Sequence, residues 1–184
     1  MNNLINFYVD KGRVIMKTQD IKNTVTQLLD KYELTEEIPI PIVALCQQEG
    51  LRVLETDFTE PDIAGLILGR NNHYTIYINR LDPAPRKRFT IAHELGHYLL
   101  HLQGQIYDKG FRDTRATLRT AFRYARHTSP YEKEANRFAA EILMPEKPMV
   151  EYSQLTDSVT MAQIFSVSAQ ALHIRLQEIL STVR

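Results

Sequence analysis

The sequence predicts an α+β protein in which a small antiparallel sheet packs on two helices and further helices follow at the C-terminal end. Three observations lead to this fold class. Apolar residues recur at helical spacing in several segments. Short runs typical of strands lie between positions 51 and 78, and a turn signal joins two of them. Hydrophobic residues form 43% of the 184 positions and charged residues 24%, as in an ordinary globular chain.

The first half of the chain gives two helices and then three strands. Residues 18–33 place apolar side chains on one helical face, and prolines 39 and 41 open a short second helix that ends at Gly50. Strands are expected over residues 51–55, 63–68 and 74–78. The segment Gly69-Arg-Asn-Asn72 is a hairpin signal. The strand over 74–78 could form an edge that pairs with an extended peptide.

The second half is helical. Helices are expected over residues 84–101, near 114–125, over 131–144 and within 146–184. Prolines 83 and 85 mark the start of the first of these helices, and Pro145 stops the third. We therefore divide the chain into a flexible tail (1–16), a main domain (17–145) and a C-terminal helical segment (146–184).

Composition narrows the class of protein. The one cysteine, Cys46, lies in an apolar run, so we expect a buried packing residue and no intrachain disulfide. The chain shows no signal peptide and no apolar run of about 18 residues, which favours the cytoplasm and no membrane partner. Residues 85–126 carry nine Lys or Arg and three acidic residues. This stretch could bind nucleic acid, but we favour a solvated insertion over 103–130.

The segment His93-Glu94-Leu95-Gly96-His97 has the H-E-x-x-H spacing of a catalytic zinc site. On a helix, residues four apart project from one face about 6 Å from each other, so both imidazoles can bind one ion. Glu94 is placed to take a proton from the attacking water. His101 lies too far along the helix to share that ion with His93, and we expect it to support a ligand or end the helix.

The residues on either side of this segment are mostly apolar, which argues against a solvated surface helix with two exposed histidines. Gly96 is unfavourable within a helix by about 1 kcal/mol, which makes sense if another backbone passes close to it.

A catalytic zinc normally takes a third protein ligand, and the helix over 131–144 offers Glu132 and Glu134. Glu132 shares its face with Ala135, Asn136 and Ala139. Since two of these side chains are small, this face can approach the H-E-x-x-H helix closely. Asn136 could then hydrogen-bond a ligand. We favour Glu132 as the ligand over Glu134, although both could be solvated surface charges.

Two motifs in this order resemble a known family. Phe89-Thr-Ile-Ala-His-Glu-Leu-Gly-His97 followed by Glu132-x-x-Ala-Asn-x-Phe-Ala-Ala-Glu-x-Leu-Met-Pro145 is similar to the ImmA/IrrE family of bacterial metallopeptidases. The resemblance implies a zincin-like fold, with His93, His97 and Glu132 as Zn²⁺ ligands and Glu94 as the base. It also implies a protein substrate, namely a helix-turn-helix repressor of a mobile element or of a stress response. The long segment between the motifs departs from the usual family pattern.

Residues 159–180 resemble a helix-turn-helix, which the family often carries after its catalytic part. The second helix offers Gln170, His173, Arg175 and Gln177 but little positive charge, so we favour a structural or docking role over DNA binding.

Two questions stay open at this stage. The oxyanion donor could be any of five residues: Tyr74, Tyr107, Tyr124, His127 or Tyr131. The alternative to a protease is a repressor- or DNA-binding regulator, or a toxin–antitoxin component, in which the metal is structural.

Overall fold

A computed structural model describes residues 15–59, 63–70, 73–102 and 130–182. The first elements in these residues are two helices, α1 (Thr18–Lys31) and α2 (Ile42–Gln48). Three strands follow, β1 (Leu51–Thr56), β2 (Gly65–Arg70) and β3 (His73–Asn79). The remaining helices are α3 (Ala84–His97), α4 (Pro130–Leu143), α5 (Glu146–Ser153), α6 (Ser158–Ile164) and α7 (Ala169–Thr182). The α+β prediction is confirmed.

Most element bounds lie close to the predicted ones, because apolar spacing and prolines mark them. In α1, the residues at helical spacing are buried, namely Ile21, Val25, Leu28 and Leu29. Each such side chain stabilises the fold by about 1.5–3 kcal/mol relative to an exposed position. Gly50 follows α2 with a φ of 78°, a conformation that glycine adopts without strain. The predicted tail (1–16), except its last two residues, and the helix near 114–125 lie outside the described residues.

The sheet is mixed, which corrects the prediction of an antiparallel one. Its order is β1-β3-β2, with β2 antiparallel to β3 as the hairpin signal predicts. β1 pairs with β3 in parallel, from Leu51 opposite Tyr74 to Thr56 opposite Asn79. The chain passes from β1 to the far edge and returns through the hairpin into the centre. β3 is therefore central, and the expectation that 74–78 forms an edge was wrong.

The helix α3 lies at the centre of the fold, between the sheet and α4. It contacts β2 and β3 on one side and packs along α4 on the other, while α1 also packs on α4. After His97 the chain continues in a wider π-helical turn (Tyr98–Leu102), so the predicted helix over 84–101 changes its geometry after residue 97. π-helical turns are rare and often lie at functional sites.

Gly96 faces α4. A Cβ atom there would lie 3.0 Å from Cδ1 of Phe138, a fully buried ring on α4. The glycine therefore permits the close approach of the two helices that the sequence predicts, although the nearest atoms belong to an aromatic side chain. Within the described residues, no helix is long and apolar enough to cross a membrane.

Candidate metal centre

Two histidines of α3 form the first part of the site. His93 and His97 lie one helical turn apart, and their Nε2 atoms are 3.0 Å from each other. The rings are nearly perpendicular, with an interplanar angle of 79°. His97 is almost fully buried, and His93 is partly exposed. Both nitrogen lone pairs can therefore converge on one small volume.

Glu132, in the first turn of α4, completes the cluster. Its Oε2 lies 3.2 Å from Nε2 of His93, and its Oε1 lies 3.1 Å from Nε2 of His97. The ligand atoms of the three residues all lie within 4.8 Å of one another, so the group could hold a metal ion. The structure thus brings together His93, His97 and Glu132, while Glu134 points to a different partner.

These separations fit a tetrahedral cation. Two ligand atoms at about 2.0–2.1 Å from a tetrahedral Zn²⁺ lie about 3.3 Å apart, close to the spacings seen here. Two imidazole nitrogens and one carboxylate oxygen are also a ligand set that zinc accepts. The donor chemistry and the spacing therefore both suit a divalent ion with a coordination position left for water.

The charges of the cluster suit metal binding. Burial lowers the pKa of His97 to about 4, so its ring is neutral near pH 7. Burial alone would raise the pKa of Glu132, but hydrogen bonds from His93 and His97 lower it to about 2. For His93, burial lowers the pKa, but the hydrogen bond to Glu132 and the neighbouring carboxylates raise it overall. Of the two imidazoles, His93 therefore holds a proton more readily than His97, and a cation would compete with that proton.

The outward nitrogen of His93 is oriented by α4. Its Nδ1 lies 2.9 Å from Oδ1 of Asn136, one helical turn after Glu132. An Nδ1–H that donates to this amide oxygen leaves Nε2 with its lone pair toward the cluster. Asn136 was predicted to make such a contact from its position on the face of Glu132.

Glu94 is buried beside the cluster, between α3 and the sheet. Its Oε1 lies 3.8 Å from the position that a Cβ on Gly65 of β2 would take. Burial, and to a smaller extent the charge of Glu132, raise the pKa of Glu94 to about 7, against the lowering effect of His93. A carboxylate with this pKa can accept and return a proton near neutral pH.

His101 and Glu134 form a second layer behind His97. Nδ1 of His97 lies 3.0 Å from Nδ1 of His101, and Nε2 of His101 lies 2.9 Å from Oε2 of Glu134. The expectation that His101 supports a ligand agrees with this contact. The sequence offers Glu134 only as an alternative ligand, because no spacing rule links it to a residue 33 positions earlier.

The tyrosine candidates for an oxyanion donor are only partly described. Tyr74 packs against Tyr98, with ring centroids 5.0 Å apart. Tyr131 stands edge-on to His101, with centroids 5.1 Å apart. Tyr107, Tyr124 and His127 lie outside the described residues, as does most of the basic stretch 103–130.

The C-terminal helices α6 and α7 meet at a short turn around Ser166, as the helix-turn-helix resemblance predicts. Gln170, His173 and Gln177 of α7 are exposed. Arg175 is 1% exposed and forms an ion pair with Glu141 of α4, so it is not available to read bases. This burial corrects the expectation that the second helix offers Arg175 to a partner.

A helix with H-E-x-x-H and a carboxylate from a second helix define the zincin-like class of metal-site proteins. The family model described as the IrrE N-terminal-like domain, Peptidase M78, matches residues 46–177. The chain belongs to this family. The comparison of this chain with curated proteins found no match.

A solved structure of a Mycobacterium tuberculosis transcriptional regulator has a similar fold, with a TM-score of 0.58 and 16% sequence identity. The match covers 85% of this chain and 46% of the regulator, so this chain spans about half of that protein. At this identity, the likeness describes the fold alone.

Proposed function

We propose that this protein is a zinc-dependent endopeptidase of the cytoplasm that cleaves one regulatory protein. The observation that carries the proposal is the convergence of His93, His97 and Glu132 with Glu94 buried beside them. Membership of a peptidase family supports the reaction class. The catalytic assignment is Glu94 as the base, with the other three residues as Zn²⁺ ligands.

Different side chains of this protein have separate roles in the proposed hydrolysis. A bound Zn²⁺ supplies a Lewis acid that polarises the scissile carbonyl and lowers the pKa of water. Glu94 takes a proton from the attacking water at its carboxylate and later delivers it to the leaving amine. Asn136 holds the ring of His93 in the orientation that presents Nε2. The burial of Glu94 and His97 keeps bulk water from screening these interactions.

An extended substrate can reach this site along β2. This strand is an edge of the described sheet, and its Gly65 lies next to Glu94. Edge strands offer unpaired backbone groups, which bind a peptide by adding it to the sheet. We assign to β2 the substrate-pairing role that the sequence suggests for β3.

The substrate class follows from the family resemblance. We propose a helix-turn-helix repressor of a mobile element or a stress response as the protein that is cut. The α6–α7 pair, which resembles a helix-turn-helix, agrees with a regulatory setting. DNA binding by this chain is not part of the proposal, because Arg175 is buried and α7 carries little other positive charge.

The test uses a small helix-turn-helix repressor encoded beside the gene, incubated with purified protein and Zn²⁺. We expect the wild-type chain to cut it and a chelator to abolish cutting, with recovery when Zn²⁺ is restored. Glu94→Gln keeps the side-chain shape but cannot accept the proton, so cleavage should fall by about 10²–10⁴-fold while stoichiometric zinc remains. Mass spectrometry of the fragments and metal analysis measure the two effects.

The matched control is Glu151→Gln, which makes the same chemical change at an exposed position of α5 and should cleave normally. Undiminished cleavage by Glu94→Gln excludes Glu94 as the base. Stoichiometric zinc in a wild-type chain that cuts no such repressor favours the alternative, a regulator that binds without cleaving and uses the metal structurally.

A further inference from the structure

A row of hydrogen bonds, buried at His101 and partly buried at its end, runs from the metal cluster to the residues just before α1. Nδ1 of His97 meets Nδ1 of His101, whose Nε2 meets Oε2 of Glu134. The backbone N–H of Met16 then donates to Oε1 of Glu134 at 2.8 Å. The side chains of His97, His101 and Glu134 are 1%, 7% and 7% exposed, so water competes little for these bonds.

The hydrogen-bond donors and acceptors named above have one arrangement that satisfies the contacts of His97, His101 and Glu134 in this row when a cation is bound at His97. The cation takes the lone pair of Nε2, so the neutral ring of His97 carries its hydrogen on Nδ1. That hydrogen needs an acceptor, so Nδ1 of His101 must be bare. His101 then carries its hydrogen on Nε2, which donates to the Glu134 carboxylate. Glu134 accepts from both neighbours.

We propose that His101 and Glu134 are positioning residues, which hold His97 in the tautomer and ring orientation that binds the cation. The inference rests on the proposed function only in requiring a divalent ion at His97. The ion strengthens the row because it makes the Nδ1–H of His97 a better donor, and the row in return raises the affinity for the ion. His101 therefore links the ring of His97 to the carboxylate of Glu134.

His101 can be replaced in two ways that separate hydrogen bonding from packing. His101→Phe keeps a ring against Tyr131 but removes both the acceptor and the donor. His101→Gln offers one amide oxygen to His97 and one amide N–H to Glu134, in the same order as the imidazole. The same pair of substitutions at His173, an exposed residue of α7, is the control.

The first readout is Zn²⁺ affinity by competition with a chelating dye, together with the unfolding temperature of the metal-free protein. We expect His101→Phe to lose about 10–100-fold in affinity and His101→Gln to keep most of it. Both His173 variants should bind zinc as the wild type does. An affinity of His101→Phe equal to that of the wild type overturns the proposal, and so does an equal loss in the Phe and Gln variants.

The second readout needs no variant and serves if His101→Phe does not fold. Long-range ¹H–¹⁵N correlation spectra of the zinc-loaded wild-type chain report which nitrogen of each histidine carries the hydrogen. We expect Nδ1–H for His97 and Nε2–H for His101. An Nδ1–H on His101 breaks the row and refutes the inference, because two N–H groups would then face each other.

The two proposals fail in different ways. A protein that binds zinc in the expected tautomers but cuts nothing contradicts the peptidase function and leaves the positioning role intact. A protein that cuts its substrate but shows the other tautomer of His101 contradicts only the positioning role. A wild-type chain that binds no divalent ion at His97 removes the basis of both.

Discussion

Glu94 and Glu132 show how their surroundings give two chemically identical side chains different properties. Glu132 lies between two imidazoles, whose hydrogen bonds outweigh its burial and lower its pKa to about 2. Glu94 is more deeply buried, which raises its pKa to about 7. One carboxylate therefore stays ionised for a cation, while the other can exchange a proton. Two separate sequence motifs contain these residues, but the difference in their pKa values comes from the fold.

Cys46 tests how completely the core excludes water. Burial, with a smaller effect of the Glu49 charge, raises the pKa of the thiol to about 12, so the native chain should resist thiol reagents at pH 8. We expect slow reaction with Ellman's reagent in the native state and rapid release of one equivalent after unfolding in guanidinium. Cys46→Ala is the control with no release. Rapid labelling of the native chain would contradict the buried position.

The same thiol makes stability depend on pH at the alkaline end. Its pKa is higher in the folded chain, so the stabilising contribution is complete below the unfolded value near 9 and is lost between about 9 and 12. Denaturant unfolding across this window should show a fall in stability that is smaller in Cys46→Ala. An equal fall in both proteins would assign the alkaline loss to other groups.

Among helices and strands, the contact between β2 and α3 depends on a missing side chain. A Cβ on Gly65 would lie 2.3 Å from Cγ2 of Thr90 and 2.9 Å from the backbone oxygen of Tyr77. Gly65→Ala should push the edge strand from the helix and destabilise the protein by about 1–3 kcal/mol, measured by denaturant unfolding.

The double variant Gly65→Ala with Thr90→Ser removes the closest methyl group and should recover part of this loss. Gly69→Ala is the comparison in the same strand, because there the nearest atoms belong to the ring edge of Tyr74, which can shift. A Gly65→Ala protein as stable as the wild type would show that β2 does not press on α3 at this point.

The helices could be predicted from sequence because their signals are local. Apolar spacing placed α1 and α4 within two residues of their bounds, and H-E-x-x-H spacing predicted that His93 and His97 meet. The positions of Glu132 and Glu134 around the helix also favoured Glu132 as the third metal ligand, because the face of Glu132 carries small residues and Asn136.

Features that depend on contacts between segments far apart in the sequence could not be predicted from local sequence signals. The position of β3 in the centre of the sheet depends on which strands meet, and the hydrophobic pattern of the segment is the same at an edge. The π-helical turn after His97 interrupts a run of leucines that suits a regular helix equally well. The contact of His101 with Glu134 joins two elements with no spacing rule between them.

At the scale of the whole molecule, a partly buried ionic network joins α7 to α4, the helix that carries Glu132. Arg175 of α7 pairs with Glu141 of α4 and donates from Nε to the backbone oxygen of Met144 at 3.1 Å. Arg137 joins the same network, with Nη2 at 2.6 Å from Oε1 of Glu141 and Nη1 at 2.8 Å from Oε2 of Glu178. The network connects the predicted main domain (17–145) with the segment 146–184, and that division stays a prediction.

Arg175→Met should therefore destabilise the whole chain, because Glu141 keeps its burial but loses one of its two cations. We expect a loss of about 3 kcal/mol in denaturant unfolding, with Zn²⁺ affinity of the folded fraction unchanged, since Glu132 lies about two and a half turns from Glu141 along α4. The control is Lys147→Met, which breaks an ion pair with Glu36 whose side chains are 71% and 78% exposed. Its unfolding midpoint should not shift measurably, because water screens such pairs. If Arg175→Met and Lys147→Met have the same unfolding midpoint, the network does not hold α7 on α4. If the Zn²⁺ affinity of Arg175→Met falls together with its stability, the C-terminal helices also shape the metal centre.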